Sequence, residues 1–172
     1  MKKFIVGLAL LLSALVCSAQ TLWGGTATGM SPNDVRQVQP SAAPPGADGN
    51  RIASGALELL RIPVVEIEDA KFTVQFYFLN NKLTQVMLSL HKPATLREVR
   101  SVFDRLDTLL RAKYGTEIKS DKKESASAKF YDKTWISGRT NILLTAISIG
   151  DGNDSILNVV YQTRIAEEAS KL

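Results

Sequence analysis

The stretch Lys71–His91, KFTVQFYFLNNKLTQVMLSLH, decides the fold. Phe72, Val74, Phe76 and Phe78 alternate with Thr73, Gln75 and Tyr77, and Thr84, Val86, Leu88 and Leu90 alternate with Gln85, Met87, Ser89 and His91. A period of two is that of strands with one buried face, and the Asn80-Asn81 pair between them marks a hairpin turn. A two-residue loop would set Val74 opposite Met87 and Phe76 opposite Gln85, mixing the faces. A three-residue loop, Leu79-Asn80-Asn81, sets Phe76 opposite Thr84, Val74 opposite Val86 and Phe72 opposite Leu88. That register is the expectation, with Asn81 at positive φ because Asn tolerates the left-handed region.

Downstream, Lys92-Pro93-Ala94 ends the hairpin and Thr95-Leu96-Arg97-Glu98 reads as a capping box, in which Thr95 caps and Glu98 reaches back. Leu96, Val99, Val102, Phe103, Leu106, Leu109 and Leu110 form one apolar stripe at helical spacing, and Gly115 supplies the stop. Arg100 with Asp104, and Asp107 with Arg111, stand four apart on the polar side. Lys119 to Lys129 reads as a polar loop. Strands follow at Phe130 to Ser137, Thr140 to Ile149 and Ser155 to Gln162, the last apolar on both sides and so central or well covered. Arg164 to Leu172 reads as a weak helical tail.

Upstream, Gly55 to Glu68 is strand-like but carries Pro63, which fits an edge strand or a bulge. Glu68-Asp69 turns it into the hairpin. Ser31 caps a short helix from Pro32 to about Val38, and residues 39–50 (QPSAAPPGADGN) form a loop rich in Pro, Gly and Ala. The expected fold is α+β: an antiparallel sheet of five or six strands, one long helix packed on one face, and a short N-terminal helix. Leu96, Val99, Phe103, Leu106 and Leu110 are expected to meet Phe72, Val74, Phe76, Val86 and Leu88.

Met1 to Ala19 has the pattern of a cleaved export signal: Lys2-Lys3, the apolar run Phe4 to Val16, then Cys17-Ser18-Ala19 with small residues where a peptidase reads. Cleavage after Ala19 points to the periplasm or the medium. A lipoprotein acylated at Cys17 is the rival, opposed by Val16 where that signal has a small residue. A retained anchor would need ~20 apolar residues. Cleavage removes the single cysteine, hence disulfide and thiol chemistry, and lowers the formal charge from +4 to +2 by the loss of Lys2 and Lys3. Nucleic acid then loses its electrostatic support as a partner. Residues 51–172 read as the α+β domain, with 20–50 joining it in one unit long enough for a core of its own.

Gly29-Met30-Ser31-Pro32-Asn33-Asp34-Val35 resembles the G-M-[ST]-x-x-[QE]-V start of small two-layer α+β proteins of the bacterial envelope. The outer-membrane-assembly small lipoproteins and the β-lactamase-inhibitor-like proteins are of this kind. The hairpin wording F-x-F-x-N-N-K-L-x-x-V, at Phe76 to Val86, is similar to that of exported proteins with a Trp-Gly-Met-Ser start. Here Trp23 and Gly24 stand further from Met30. The resemblance covers the first helix and the hairpin, and implies a non-enzymatic, protein-facing role without carrying over any binding residue.

The residues offer no catalytic, cofactor or metal constellation. The single histidine, His91, stands at a strand end. Asp151-Gly152-Asn153-Asp154 fits a turn better than a calcium loop, whose sixth and twelfth positions here hold Ile156 and Gln162. Glu66, Glu68 and Asp69, and Lys119, Lys122 and Lys123, read as solvated surface. Tyr77, Met87, Tyr131 and Trp135 form a candidate partner surface if they share one exposed face; a second layer over them is the other reading. The expectation is an exported, non-enzymatic interaction module engaging another envelope protein. A small-ligand carrier or hydrolase using the sheet face, and a structural envelope protein, are the alternatives.

Overall fold

A computed structural model describes residues 20–150 and 152–164. The signal-like stretch before Gln20 and the tail read as helical after Arg164 lie outside them. One antiparallel sheet of seven strands forms the body: β1 (Leu57–Ile67), β2 (Ala70–Leu79), β3 (Lys82–Leu90), β4 (Lys119–Glu124), β5 (Ala128–Ser137), β6 (Thr140–Ile149) and β7 (Ile156–Thr163). Their order across the sheet is β1-β2-β3-β7-β6-β5-β4. Two meanders are therefore joined at the centre by β3 and β7. Helix α2 (Leu96–Tyr114) is the crossover between them, and α1 (Pro32–Val38) precedes the first.

The central hairpin keeps its faces but not the expected register. Leu79 pairs with Lys82, so Asn80-Asn81 is a two-residue turn, with φ of 49° and 63°. This is the primed-turn geometry that matches strand twist. Thr84 is then an extra residue between the pairs Tyr77–Gln85 and Phe78–Leu83, and its hydroxyl donates to the Tyr77 carbonyl at 3.4 Å. The bulge restores the parity that a plain two-residue loop would break. Phe76 faces Val86, Val74 faces Leu88 and Phe72 faces Leu90, each two residues from the expected partner. Asn81→Ala should destabilise by about 1–2 kcal/mol, the cost of a β-carbon in the left-handed region, whereas Asn81→Gly should be neutral or better. A thermal melt of the two variants checks the turn.

β1 is an edge strand with a bulge at Pro63-Val64, where these two residues stand opposite the single residue Thr73 of β2. The hydroxyl of Thr73 donates to the Pro63 carbonyl at 3.0 Å. Glu68-Asp69 is a second two-residue turn at positive φ. The Gly29–Val35 motif has a structural account. The Gly29 amide donates to the Leu83 carbonyl, and the Leu83 amide to the Met30 carbonyl, at 2.9 and 2.8 Å. Ser31 and Asp34 then form a capping box. The motif thus seats α1 on the hairpin and sends Val35, fully buried, into the core.

α2 opens on the Thr95–Glu98 capping box and buries Val99, Val102, Phe103, Leu106 and Leu110. Each such burial contributes roughly 1.5–3 kcal/mol. The helix crosses β6, flanked by β5 and β7, rather than lying over the β2–β3 hairpin as the sequence suggested. Ring, hydrogen-bond and ion-pair contacts hold that position. Phe103 meets the Tyr131 ring at 6.2 Å, Arg100 stands 5.1 Å from the same ring's centroid instead of pairing Asp104, and Trp135 Nε1 donates to the Gly115 carbonyl at 3.0 Å. Lys133 joins Asp107 at 2.6 Å and Glu117 at 3.5 Å, while Arg111 joins the same two carboxylates.

Glu117 is held below the usual glutamate range, first by its own backbone amide and then by Lys133 and Arg111. The folded chain therefore binds this proton less readily than the unfolded chain. The resulting stabilisation is complete above the ordinary value of 4.5 and is lost as pH falls through the lowered one. Glu117→Gln should flatten the acid limb of the stability–pH curve, as urea melts at successive pH values would show.

The Lys119–Lys129 segment, read as a loop, begins with β4. The strand carries no apolar side chain to announce itself; the β5 backbone recruits it from Lys119–Thr134 to Glu124–Lys129. Lys119–Asp121 at 2.8 Å and Lys122–Glu124 at 3.1 Å pair two residues apart, the same-face spacing of a strand. The sheet thus has seven strands rather than five or six.

Candidate partner surface and groove

The four residues of the candidate partner surface do not share one face. Pairing sets Tyr131 opposite Ala146 and Trp135 opposite Ile142, which turns both inward beneath α2, with 8% and 1% of their surface exposed. Tyr77 and Met87 point to the opposite, outer face. There Tyr77 is buried too, and Met87 alone of the four is half-exposed on the outer face.

Tyr77 is covered because the loop before β1 folds over that corner of the sheet. The Ala43 and Arg61 amides and carbonyls exchange hydrogen bonds at 3.0 and 2.7 Å, and the Asn50 amide donates to Glu58 Oε2 at 3.2 Å. Beneath the loop, Arg61 grips Glu58 through Nε at 2.6 Å and Nη2 at 3.0 Å. Gln75 Nε2 donates to the same carboxylate at 3.2 Å. Burial, with the Glu58 carboxylate nearby, pushes the Tyr77 phenol up to about 12.

From β3 to β5 the outer face is different. One row runs Met87–Val160–Leu143–Thr134 and another Ile156–Ile147–Phe130. Between them lies a polar row, Ser89–Asn158–Thr145–Asp132. Ile156 is 49% exposed and Ile149, beyond the second row, 66%. The signal for this face was in the sequence, in the apolar residues at both parities of β5, β6 and β7.

The sheet's edges are guarded. β1 carries Pro63, two register shifts and the Ala43 bridge, and β4 presents Lys119, Lys122 and Lys123. Both are devices against strand addition.

On the helix face, the offset of α2 toward β6 leaves a groove along its other flank. One stretch, about 410 Å3, lies between α2 and the inner side of β3 and β7. Leu106, Leu109, Leu88, Val159 and Ile67 wall it, Trp23 stands across it, and Lys113 is its one charged wall residue. A second depression, of about 500 Å3, follows toward the start of α2 and contains Asp69, Lys71, His91, Lys92 and Glu98. Two of these groups have local roles: the Glu98 carboxylate accepts from Thr95, and His91 Nδ1 shares a hydrogen bond with Thr73 Oγ1 at 3.0 Å.

The other singled-out residues take local places. Glu68 and Asp69 form a turn. Of the Asp151–Asp154 stretch, Asp151 lies outside the described residues; the Gly152 carbonyl accepts the Leu96 amide at 2.8 Å, satisfying a free donor of α2's first turn. Among the described residues, no three metal-ligating side chains converge, and no helix is long and apolar enough to cross a membrane.

Among the described residues the architecture is that of an α+β protein with one open antiparallel sheet and two α-helices. Comparison with protein-family models, curated proteins and solved structures finds no match for this chain.

Proposed function

We propose that the chain is an exported, non-enzymatic binding protein of the bacterial envelope, and that its outer sheet face docks another envelope protein. The observation that carries this reading is the pair of apolar rows centred on Leu143 and Ile147, half-exposed between β3 and β5. Contiguous apolar area of this kind is uncommon on a free monomer surface. The polar row between them favours a protein partner over a lipid surface, because Asn158, Thr145 and Asp132 need hydrogen-bonding counterparts that hydrocarbon does not offer. The guarded edges favour face docking over strand addition.

The test is a variant carrying Leu143→Asp and Val160→Asp. It should keep the wild-type circular dichroism and lose the partner recovered with the wild-type protein. A control at Ser101, exposed on α2, should keep it. Undiminished recovery by the double variant would contradict the reading.

A second reading, small-ligand carriage, draws on the α2 groove. The hydrolase reading draws less support, since the apolar stretch offers a single charged group and a hydrolytic cleft needs several convergent polar groups.

A further inference from the structure

We infer that the apolar stretch of the α2 groove is a binding site for a single-chain amphiphile with an anionic head group. The alkyl chain lies between α2 and β3, and the head group is held at Lys113. Two observations select this occupant. First, the walls are a helix flank and the interior face of a sheet, whose backbone N–H and C=O groups are engaged in the helix and the strand ladders. An extended peptide would bury its own backbone polar groups there without partners, which opposes its binding. A helical peptide is about 10 Å across, too bulky for a stretch of about 410 Å3. An alkyl chain has no polar groups to satisfy and gains from Leu106, Leu88, Val159 and Ile67. The volume is also within the range of ordinary ligand pockets.

Second, the charge is one-sided. Lys113 is the only ionic wall residue of this stretch, and it has no carboxylate partner among the described residues. Its ammonium rests 5.1 Å from the centroid of the Tyr114 ring, at the end of the groove where α2 finishes. The helix's own C-terminal dipole favours a cation in that last turn, which suits Lys113 to an anionic head group. Leu109, 40% exposed, marks the lip. A leucine so exposed beside an apolar trough is accounted for when an alkyl chain lies against it.

The purified protein, titrated with dodecanoate below its micelle concentration and followed by tryptophan fluorescence, should show saturable binding with one ligand per chain. Trp23 at the groove wall is the reporter. Lys113→Gln, a surface change, should weaken dodecanoate about tenfold, equivalent to ~1.4 kcal/mol, and leave dodecanol binding unchanged. Ala112→Trp, filling the groove from α2, should abolish both while preserving the melting temperature. Absence of saturable dodecanoate binding by the wild type overturns the proposal, as does wild-type affinity in the Ala112→Trp protein. Equal loss of acid and alcohol in Lys113→Gln overturns the head-group assignment. Self-association that Ala112→Trp removes, without dodecanoate binding, would assign the groove to a second copy of the chain and overturn the amphiphile.

Discussion

Phe76→Ala should cost about 3–5 kcal/mol of folding stability, the range for removing a buried aromatic ring. Phe76 is fully buried at the middle of β2, between Leu60 of β1 and Val86 of β3. Strands on both sides hold the backbone in place, so the cavity cannot close by a local shift. A domain stabilised by roughly 5–15 kcal/mol loses a large share of that in one substitution. Phe76→Leu, which keeps most of the volume, should cost about 1–1.5 kcal/mol. Urea melts provide the check: the midpoint should fall with the slope unchanged. A loss below about 1 kcal/mol for the alanine variant would contradict the placement of this ring.

Glu58→Ala should cost about 2–4 kcal/mol, reduced from the figure for a fully buried ion pair because the Arg61 side chain is 20% exposed. The Glu58 side chain itself is fully buried and accepts hydrogen bonds from Arg61, Gln75 and the Asn50 amide. Removing it leaves those donors beneath the 43–56 loop and loosens the cover over Tyr77. Glu58→Gln should fall between alanine and wild type, since it keeps an acceptor but loses the charge. The pair also predicts non-additivity: Glu58→Ala and Arg61→Ala together should cost at least 0.5 kcal/mol less than the sum of the single losses. Additive losses in a double-mutant cycle by urea melt would show that the two side chains act independently.

The parts of this fold that were legible are those whose side-chain pattern reports their own burial. The β2 and β3 faces, the places of both turns, the positive φ of Asn81, and the α2 capping box and apolar stripe all follow from local chemistry. Register was harder, because the Thr84 bulge adds a residue without changing any apolar residue's face. Both registers therefore satisfy the pattern, and turn geometry decides between them. β4 was illegible for the opposite reason: its strand state comes from pairing with β5, and KSDKKE carries no burial signal. The candidate surface failed on parity. β5 has Phe130 and Ile136 on one side and Tyr131 and Trp135 on the other. Nothing within AKFYDKTWIS says which pair α2 will cover; the pairing with β6 and the path of the helix decide it. The groove depends on that same path, so no single segment announces it.

The central claim, that the outer sheet face meets another envelope protein, is tested most directly by photo-crosslinking in intact cells. Probes at Leu143, Val160 and Ile147 would be compared with one at Ser101 on the exposed side of α2. The account predicts one dominant protein adduct shared by the three sheet positions and missing from the α2 control. Equal labelling at all four positions, or no adduct from any sheet position when the protein is abundant, would contradict it.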